Sequence, residues 1–167
     1  MTTTTNAQVA VVMGSTSDWD VMSAAHETLQ QFGVPHVCRV LSAHRTPDAL
    51  SEFIQSCEAS GVEVFIAGAG LAAALPGVVA AQTTRPVLGV PLSGGALNGV
   101  DALYAIVQMP PGIPVGCLAV GKPGATNAAL LAVAILANKY PEYGKKLTAY
   151  RETQAKKIVE TSLPCET

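Results

Sequence analysis

Short apolar runs alternate with helical patterns along almost the whole chain. The runs occupy residues 8–13, 37–41, 62–67, 86–90 and 115–120 and are rich in valine, isoleucine and leucine. Continuous apolar runs of this length are typical of strands buried on both faces of a parallel sheet. Alternation with helices favours right-handed crossovers that cover both faces. We therefore predict a flavodoxin-like, three-layer α/β/α domain with a parallel central sheet.

Helix-start signals place the helices between these strands. Ser17 with Asp20 three residues later predicts a capping box for a helix reaching about residue 31. Thr46 as N-cap and Pro47 at the first helical position predict a helix to about residue 59. Further helices are expected over residues 77–82, 100–108 and 125–138, and an extended C-terminal helix over 141–160. The narrow apolar stripe of that last helix, at Leu147, Tyr150 and Ile158, suits packing across a neighbouring subunit.

Composition bounds the organisation of the chain. We expect one domain over residues 8–160, with a disordered N-terminal tail at 1–7 and a C-terminal tail at 161–167. The 167 residues are 49% hydrophobic but only 13% charged, where about 25% charged is typical. So few charged side chains cover the surface thinly, which favours a homo-oligomer with extensive small-residue interfaces.

Several classes of function are disfavoured. A net charge of −2 gives no electrostatic footprint for nucleic acid or an anionic membrane. The longest apolar run, 128–137, is too short to cross a bilayer, and the N-terminus lacks a secretory signal. The four cysteines form no CxxC pair, and the three histidines show no metal-ligand spacing, so we predict neither disulfides nor a metal site. These features indicate a cytoplasmic protein.

The turns after the first three strands carry the chemistry-bearing residues. All strands of a parallel sheet point the same way, so residues 14–18, 42–45 and 68–70 should meet at one edge. The first turn offers Ser15, Ser17 and Asp18 to a phosphate and ribose hydroxyls. His44 is the one plausible proton carrier near these turns, and Arg45 suits a phosphate or carboxylate. The glycines at 68–70 lack the acidic partner of a dinucleotide-binding fingerprint, which excludes NAD binding.

Six motifs in the right order give the chain a family resemblance. They are MGSTSDW at 13–19, SAHRTP at 42–47, AGAG at 67–70, VLGVP at 87–91, VQMP at 107–110 and NAALL at 127–131. Over residues 8–160 the sequence resembles the class I PurE family, the 5-(carboxyamino)imidazole ribonucleotide mutases of purine biosynthesis.

The resemblance implies an octamer and a reaction that needs no metal, nucleotide or organic cofactor. The substrate is a small ribonucleotide, whose carboxylate leaves as CO2 and returns to a ring carbon. By motif match, His44 is the single catalytic acid and base. The resemblance also assigns residues to substrate binding: Ser15, Ser17, Asp18, Ser42, Arg45, Gly70, Ala73 and Leu75.

The chain departs from the family pattern beside the expected site. Where the family usually reads GGAAHLPG, residues 70–77 read GLAAALPG. Leu71 thus replaces a glycine and Ala74 replaces a histidine, while Ala102 stands where serine is common. Two alternatives therefore stay open: direct carboxylation of aminoimidazole ribonucleotide by CO2, as in class II relatives, and a catalytically weakened paralogue that only binds a nucleotide.

Overall fold

Five parallel strands form one sheet in the computed structural model, which describes residues 6–163. The strands are β1 (Val9–Met13), β2 (His36–Val40), β3 (Val64–Gly70), β4 (Val87–Leu92) and β5 (Gly116–Cys117), in the order β2-β1-β3-β4-β5. This is the flavodoxin order, in which the connections reverse direction between β1 and β3. The predicted fold class is confirmed.

Six α-helices connect or follow the strands in the described residues: α1 (Trp19–Phe32), α2 (Pro47–Ala59), α3 (Leu75–Ala80), α4 (Val100–Val107), α5 (Lys122–Ala137) and α6 (Pro141–Val159). Two short 3-10 turns, Thr16–Asp18 and Gly95–Leu97, precede α1 and α4. None of the helices within residues 6–163 combines the length and hydropathy needed to cross a membrane.

Two buried clusters cover the two faces of the sheet. Alternate β1 side chains divide between them: Val9, Val11 and Met13 face α1, α5 and α6, whereas Ala10 and Val12 face α2, α3 and α4. Burying a large aliphatic side chain such as Leu50 contributes about 1.5–3 kcal/mol. The sheet is therefore held rigidly between two layers, and its carboxyl edge supplies a fixed platform for loops.

Several local predictions are wrong in their bounds. The capping box joins Ser15 and Asp18 instead of Ser17 and Asp20, because a 3-10 turn forms before α1 begins. Strand β3 runs over 64–70 instead of 62–67, since its small C-terminal residues continue to pair with β4 as far as Leu92. Strand β5 has two residues instead of six.

The C-terminal helix divides into two halves. Leu147 is buried in the chain's own core, and Tyr150 packs edge-on against Phe32 at 5.5 Å between ring centroids. The predicted intersubunit stripe is therefore wrong at these two positions, because the first half of α6 packs on α5 and α1. Ile158 in the second half is 75% exposed. The predicted tails fall mainly on residues 1–5 and 164–167, which lie outside the described residues, while Ala7 is buried.

Candidate active site

The loops after β1, β2 and β3 lie side by side at the carboxyl edge of the sheet. Met13 at the end of β1 pairs with Val40 of β2 on one side and with Gly68 of β3 on the other. The Arg45 guanidinium links two of the loops, since its Nη2 donates a hydrogen bond of 2.8 Å to the Gly14 carbonyl. The parallel topology therefore brings the three loops together.

The first loop is organised by a reciprocal cap. The Ser15 amide donates to Asp18 Oδ2 at 2.9 Å, while Ser15 Oγ accepts from the Ser17 amide at 3.3 Å and lies 2.9 Å from Ser17 Oγ. Burial raises the pKa of the Asp18 carboxyl, against the opposing effects of hydrogen bonds from the Ser15 and Gly14 backbones and of the Arg45 charge. The loop offers hydroxyls, a carboxylate and the amino end of α1, which together suit a sugar phosphate.

Hydrogen bonds to the backbone and side chain of Ser42 close the second loop. Its Oγ accepts from the Arg45 amide at 3.2 Å and from Arg45 Nε at 3.4 Å. Its amide donates to Thr46 Oγ1 at 2.9 Å, and that hydroxyl donates back to the Ser42 carbonyl at 3.1 Å. Thr46 thus occupies the N-cap position of α2 but closes this turn instead of capping the helix. The closed turn presents His44 and Arg45 to solvent.

The third loop carries backbone strain. Leu71 and Ala73 have φ of 56° and 41°, in the left-handed region that costs a non-glycine residue about 1–2 kcal/mol. The Leu71 side chain is 58% exposed and reaches towards Gly95 in the loop after β4. The side chains of Ala73 and Leu75 are buried in the core. Any contact of these two residues with a substrate must therefore come mainly from their backbone atoms.

Gly70 and Asp101 lie on the part of the carboxyl edge nearest β4. Gly70 ends β3 and pairs with Leu92, and a Cβ added to it would lie 3.2 Å from the Leu92 carbonyl oxygen. Asp101, in the first turn of α4, has a buried Oδ1 without a hydrogen-bond partner within residues 6–163. A buried carboxylate oxygen without a partner calls for an explanation, such as a bound water or ion or a catalytic role. Sequence reasoning missed Asp101 because its unpaired state is visible only after folding.

A second cluster of polar side chains lies outside the three loops. His26 of α1 and His36 and Cys38 of β2 place ligand-type atoms within 4.8 Å of one another. Sequence spacing did not anticipate this cluster, because it arises from the packing of α1 against β2.

The three loops together provide an anion site, hydroxyl-binding groups and an accessible imidazole. Arg45 and the amino end of α1 can hold a phosphate, and Asp18 can accept hydrogen bonds from a ribose. The exposed His44 imidazole can donate or accept a proton. This set can bind a ribonucleotide and move a proton on it.

Comparison with known proteins identifies the family. A family model described as AIR carboxylase matches residues 8–157. The chain belongs to the AIR carboxylase family.

Relatives within the AIR carboxylase family are similar over nearly the full chain. An Escherichia coli (strain K12) protein named N5-carboxyaminoimidazole ribonucleotide mutase is 55% identical over 158 residues, covering 95% of this chain and 94% of that protein. A protein of the same name from Aquifex aeolicus is 58% identical over 139 residues, covering 83% and 82%. The crystal structure of Treponema denticola PurE superposes with a TM-score of 0.83 at 29% identity, covering 91% of this chain and 94% of that one.

Proposed function

We propose that this chain converts N5-carboxyaminoimidazole ribonucleotide to 4-carboxy-5-aminoimidazole ribonucleotide in purine biosynthesis. The observation that supports the proposal is the contact of Arg45 with the loop of Asp18, with His44 next to Arg45 in the sequence, in a chain 55% identical to a mutase of that name. Residues 8–160 would act as one functional domain.

The phosphate and ribose would occupy the first two loops. Arg45 is already oriented by Gly14 and Ser42, which leaves its remaining N–H groups for a phosphate. Ser15 and Ser17 would add hydroxyl contacts, and Asp18 would accept from the ribose. Ser42 and the backbone at Gly70, Ala73 and Leu75 would line the imidazole base.

His44 would then act twice on the same ring. As imidazolium it donates a proton to the exocyclic nitrogen while the bond from that nitrogen to the carboxylate carbon breaks and CO2 departs. The ring carbon forms a new bond to CO2, and the neutral imidazole then removes the proton from that carbon. His44 ends in its starting protonation state, so the net change is transfer of one carboxylate.

Because Leu71 and Ala74 depart from the family pattern, the test also distinguishes two alternative functions. Loss of an imidazole removes a polar contact worth about 1 kcal/mol, which suits either direct carboxylation of aminoimidazole ribonucleotide or binding without turnover. Ala74 is half-buried at the N-cap of α3, four residues after Gly70 at the end of β3.

The test is turnover of N5-carboxyaminoimidazole ribonucleotide by the full chain without ATP. The proposal expects conversion to the ring-carboxylated isomer, loss of that conversion in His44→Asn, and retention in Glu142→Gln, an exposed carboxylate change on α6. Turnover of aminoimidazole ribonucleotide with bicarbonate but not of the carbamate would support the direct carboxylase. Calorimetric binding of either nucleotide without product would support the binding paralogue.

We also propose that the chain assembles as a homo-oligomer, an octamer by its resemblance. One face of α4 exposes Val100, Tyr104 and Val107 at helical spacing, with Tyr104 63% exposed. His44 is solvent-exposed in a single chain, whereas retention of CO2 needs a pocket closed to water. A second copy would supply that closure. Light scattering should give a mass several times that of the monomer, and Tyr104→Glu should reduce it while the matched outward change Lys145→Glu should not.

The cytoplasm is the proposed compartment. The thiols of Cys38, Cys57 and Cys117 are all unpaired, as is usual in reducing surroundings.

A further inference from the structure

Three ligand-type side chains meet where α1 packs on the edge strand β2. His36 and Cys38 are two residues apart on β2 and therefore point to the same face of the sheet. His26 reaches them from α1, and the two imidazole rings are 5.0 Å apart between centroids. All three residues are half-buried, and Nδ1 of His26 lies 2.8 Å from Nε2 of His36.

The hydrogen bonds define the tautomers. The Val34 carbonyl can only accept, so the His36 Nδ1–H donates to it at 2.7 Å. Burial lowers the pKa of His36, which favours a neutral ring with an Nε2 lone pair. That lone pair accepts from the Nδ1–H of His26. A histidine that binds a metal through one ring nitrogen usually donates the N–H of its other ring nitrogen to a backbone carbonyl or a carboxylate, as His36 does to Val34.

We propose that His26, His36 and Cys38 form a binding site for a thiophilic divalent cation of the Zn²⁺ type. Two imidazole nitrogens and one thiolate are ligands that zinc accepts, whereas Mg²⁺ prefers oxygen. A tetrahedral zinc ion separates such donors by about 3.3–3.6 Å. The two nitrogens at 2.8 Å must move apart slightly and the sulfur, within 4.8 Å, must approach. Solvent can supply the fourth ligand on the half-exposed side of His26.

Metal binding would deprotonate the Cys38 thiol and change the tautomer of His26. The Cys38 thiol loses its proton to solvent as the sulfur–metal bond forms, and no electrons are transferred. The His26 ring keeps one proton but carries it on Nε2, which frees the Nδ1 lone pair for the cation. The hydrogen bond between His26 and His36 is replaced by two metal–nitrogen bonds.

The site would tie together the two elements that lead into the active-site loops. Helix α1 starts directly after Asp18, and β2 ends two residues before Ser42. Trp19, the first residue of α1, lies 5.6 Å from His26 between ring centroids. It is the one tryptophan of the chain, so its fluorescence reports on the proposed site.

The test is titration of the full chain, stripped with a chelator, with Zn²⁺, Co²⁺ and Mg²⁺. The proposal expects one Zn²⁺ per chain with a change in Trp19 fluorescence, a thiolate-to-metal charge-transfer band with Co²⁺, and no response to Mg²⁺. Cys38→Ala should abolish the Co²⁺ band and weaken binding at least about tenfold, the loss that even an outer partner of a ligand produces. Cys117→Ala, a half-buried thiol outside the cluster, should keep both.

His26→Gln separates the metal site from a purely structural pair. Glutamine can still donate to His36 Nε2 but is a poor metal ligand, so metal-free stability should change little while Zn²⁺ binding weakens at least about tenfold. Three results would overturn the proposal. They are the lack of a Co²⁺ charge-transfer band in the wild-type chain, Zn²⁺ binding that is unchanged in both Cys38→Ala and His26→Gln, and loss of the stoichiometric Zn²⁺ site in Cys117→Ala. Because these readouts need no turnover, they are independent of the proposed mutase activity.

Discussion

The left-handed backbone at Leu71 gives a prediction that can be worked out quantitatively. At φ of 56° a side chain costs about 1–2 kcal/mol that glycine avoids. Glycine in turn gives the unfolded chain more conformational entropy, a cost of about 0.4–1 kcal/mol relative to alanine. Leu71→Gly should therefore be more stable than Leu71→Ala by about 1 kcal/mol, although glycine is ordinarily the less stabilising residue.

Urea unfolding of the two variants at one protein concentration measures this difference. The neighbouring Ala72 provides the control, because it is not among the positive-φ residues. Ala72→Gly should be less stable than wild type by about 0.4–1 kcal/mol, so the sign of the glycine effect should reverse between adjacent positions. If Leu71→Gly were the less stable of the Leu71 pair, the left-handed conformation would be refuted.

Three further changes test the same edge of the sheet. Because the folded chain keeps the proton of Asp18 above about pH 3.9, where the unfolded chain releases it, ionisation of Asp18 lowers stability as the pH rises. Asp18→Asn should therefore gain stability relative to wild type as the pH rises through about pH 3.9 in urea unfolding, and a constant difference would contradict this. Gly68→Ala places Cβ in steric overlap with Met22 Sδ and should cost about 1–3 kcal/mol, with partial recovery on adding Met22→Ala; no recovery would mean that another contact is responsible. Ala74→His should raise kcat/KM for the carbamate substrate up to about tenfold, the equivalent of one polar contact, whereas Ala72→His should not, and equal effects would argue against a specific role at position 74.

The strand-and-helix order could be predicted because each buried strand is a continuous apolar run with a turn after it. Topology alone then placed the loops of Gly14, Ser42 and Gly68 on one edge, and the structure brings them together. Residue chemistry singled out His44 as a proton carrier and Arg45 as an anion ligand, and the family resemblance added their parts in the reaction; these roles stay predictions. The local sequence pattern was therefore enough to predict the fold, whereas predicting the reaction needed the resemblance to a known family.

Of the features that the sequence did not predict, one is local and two depend on contacts between distant segments. The capping box moved by two residues because a 3-10 turn forms at Thr16–Asp18, where the Asp18 side chain accepts from the Ser15 amide before the α-helix begins. The cluster of His26, His36 and Cys38 depends on how α1 packs on β2. The unpaired oxygen of Asp101 likewise appears only when α4 packs on the sheet.

The strain at Leu71 connects the active-site edge to assembly. An isolated chain loses about 1–2 kcal/mol to this conformation, while 58% of the side chain stays exposed and gains nothing from burial. Covering that exposed part would contribute about 1–2 kcal/mol, which is enough to offset the strain. The same surface includes Leu97, which is 62% exposed in the neighbouring loop. The proposed assembly, if it covered this face, would therefore stabilise the unusual backbone beside Gly70.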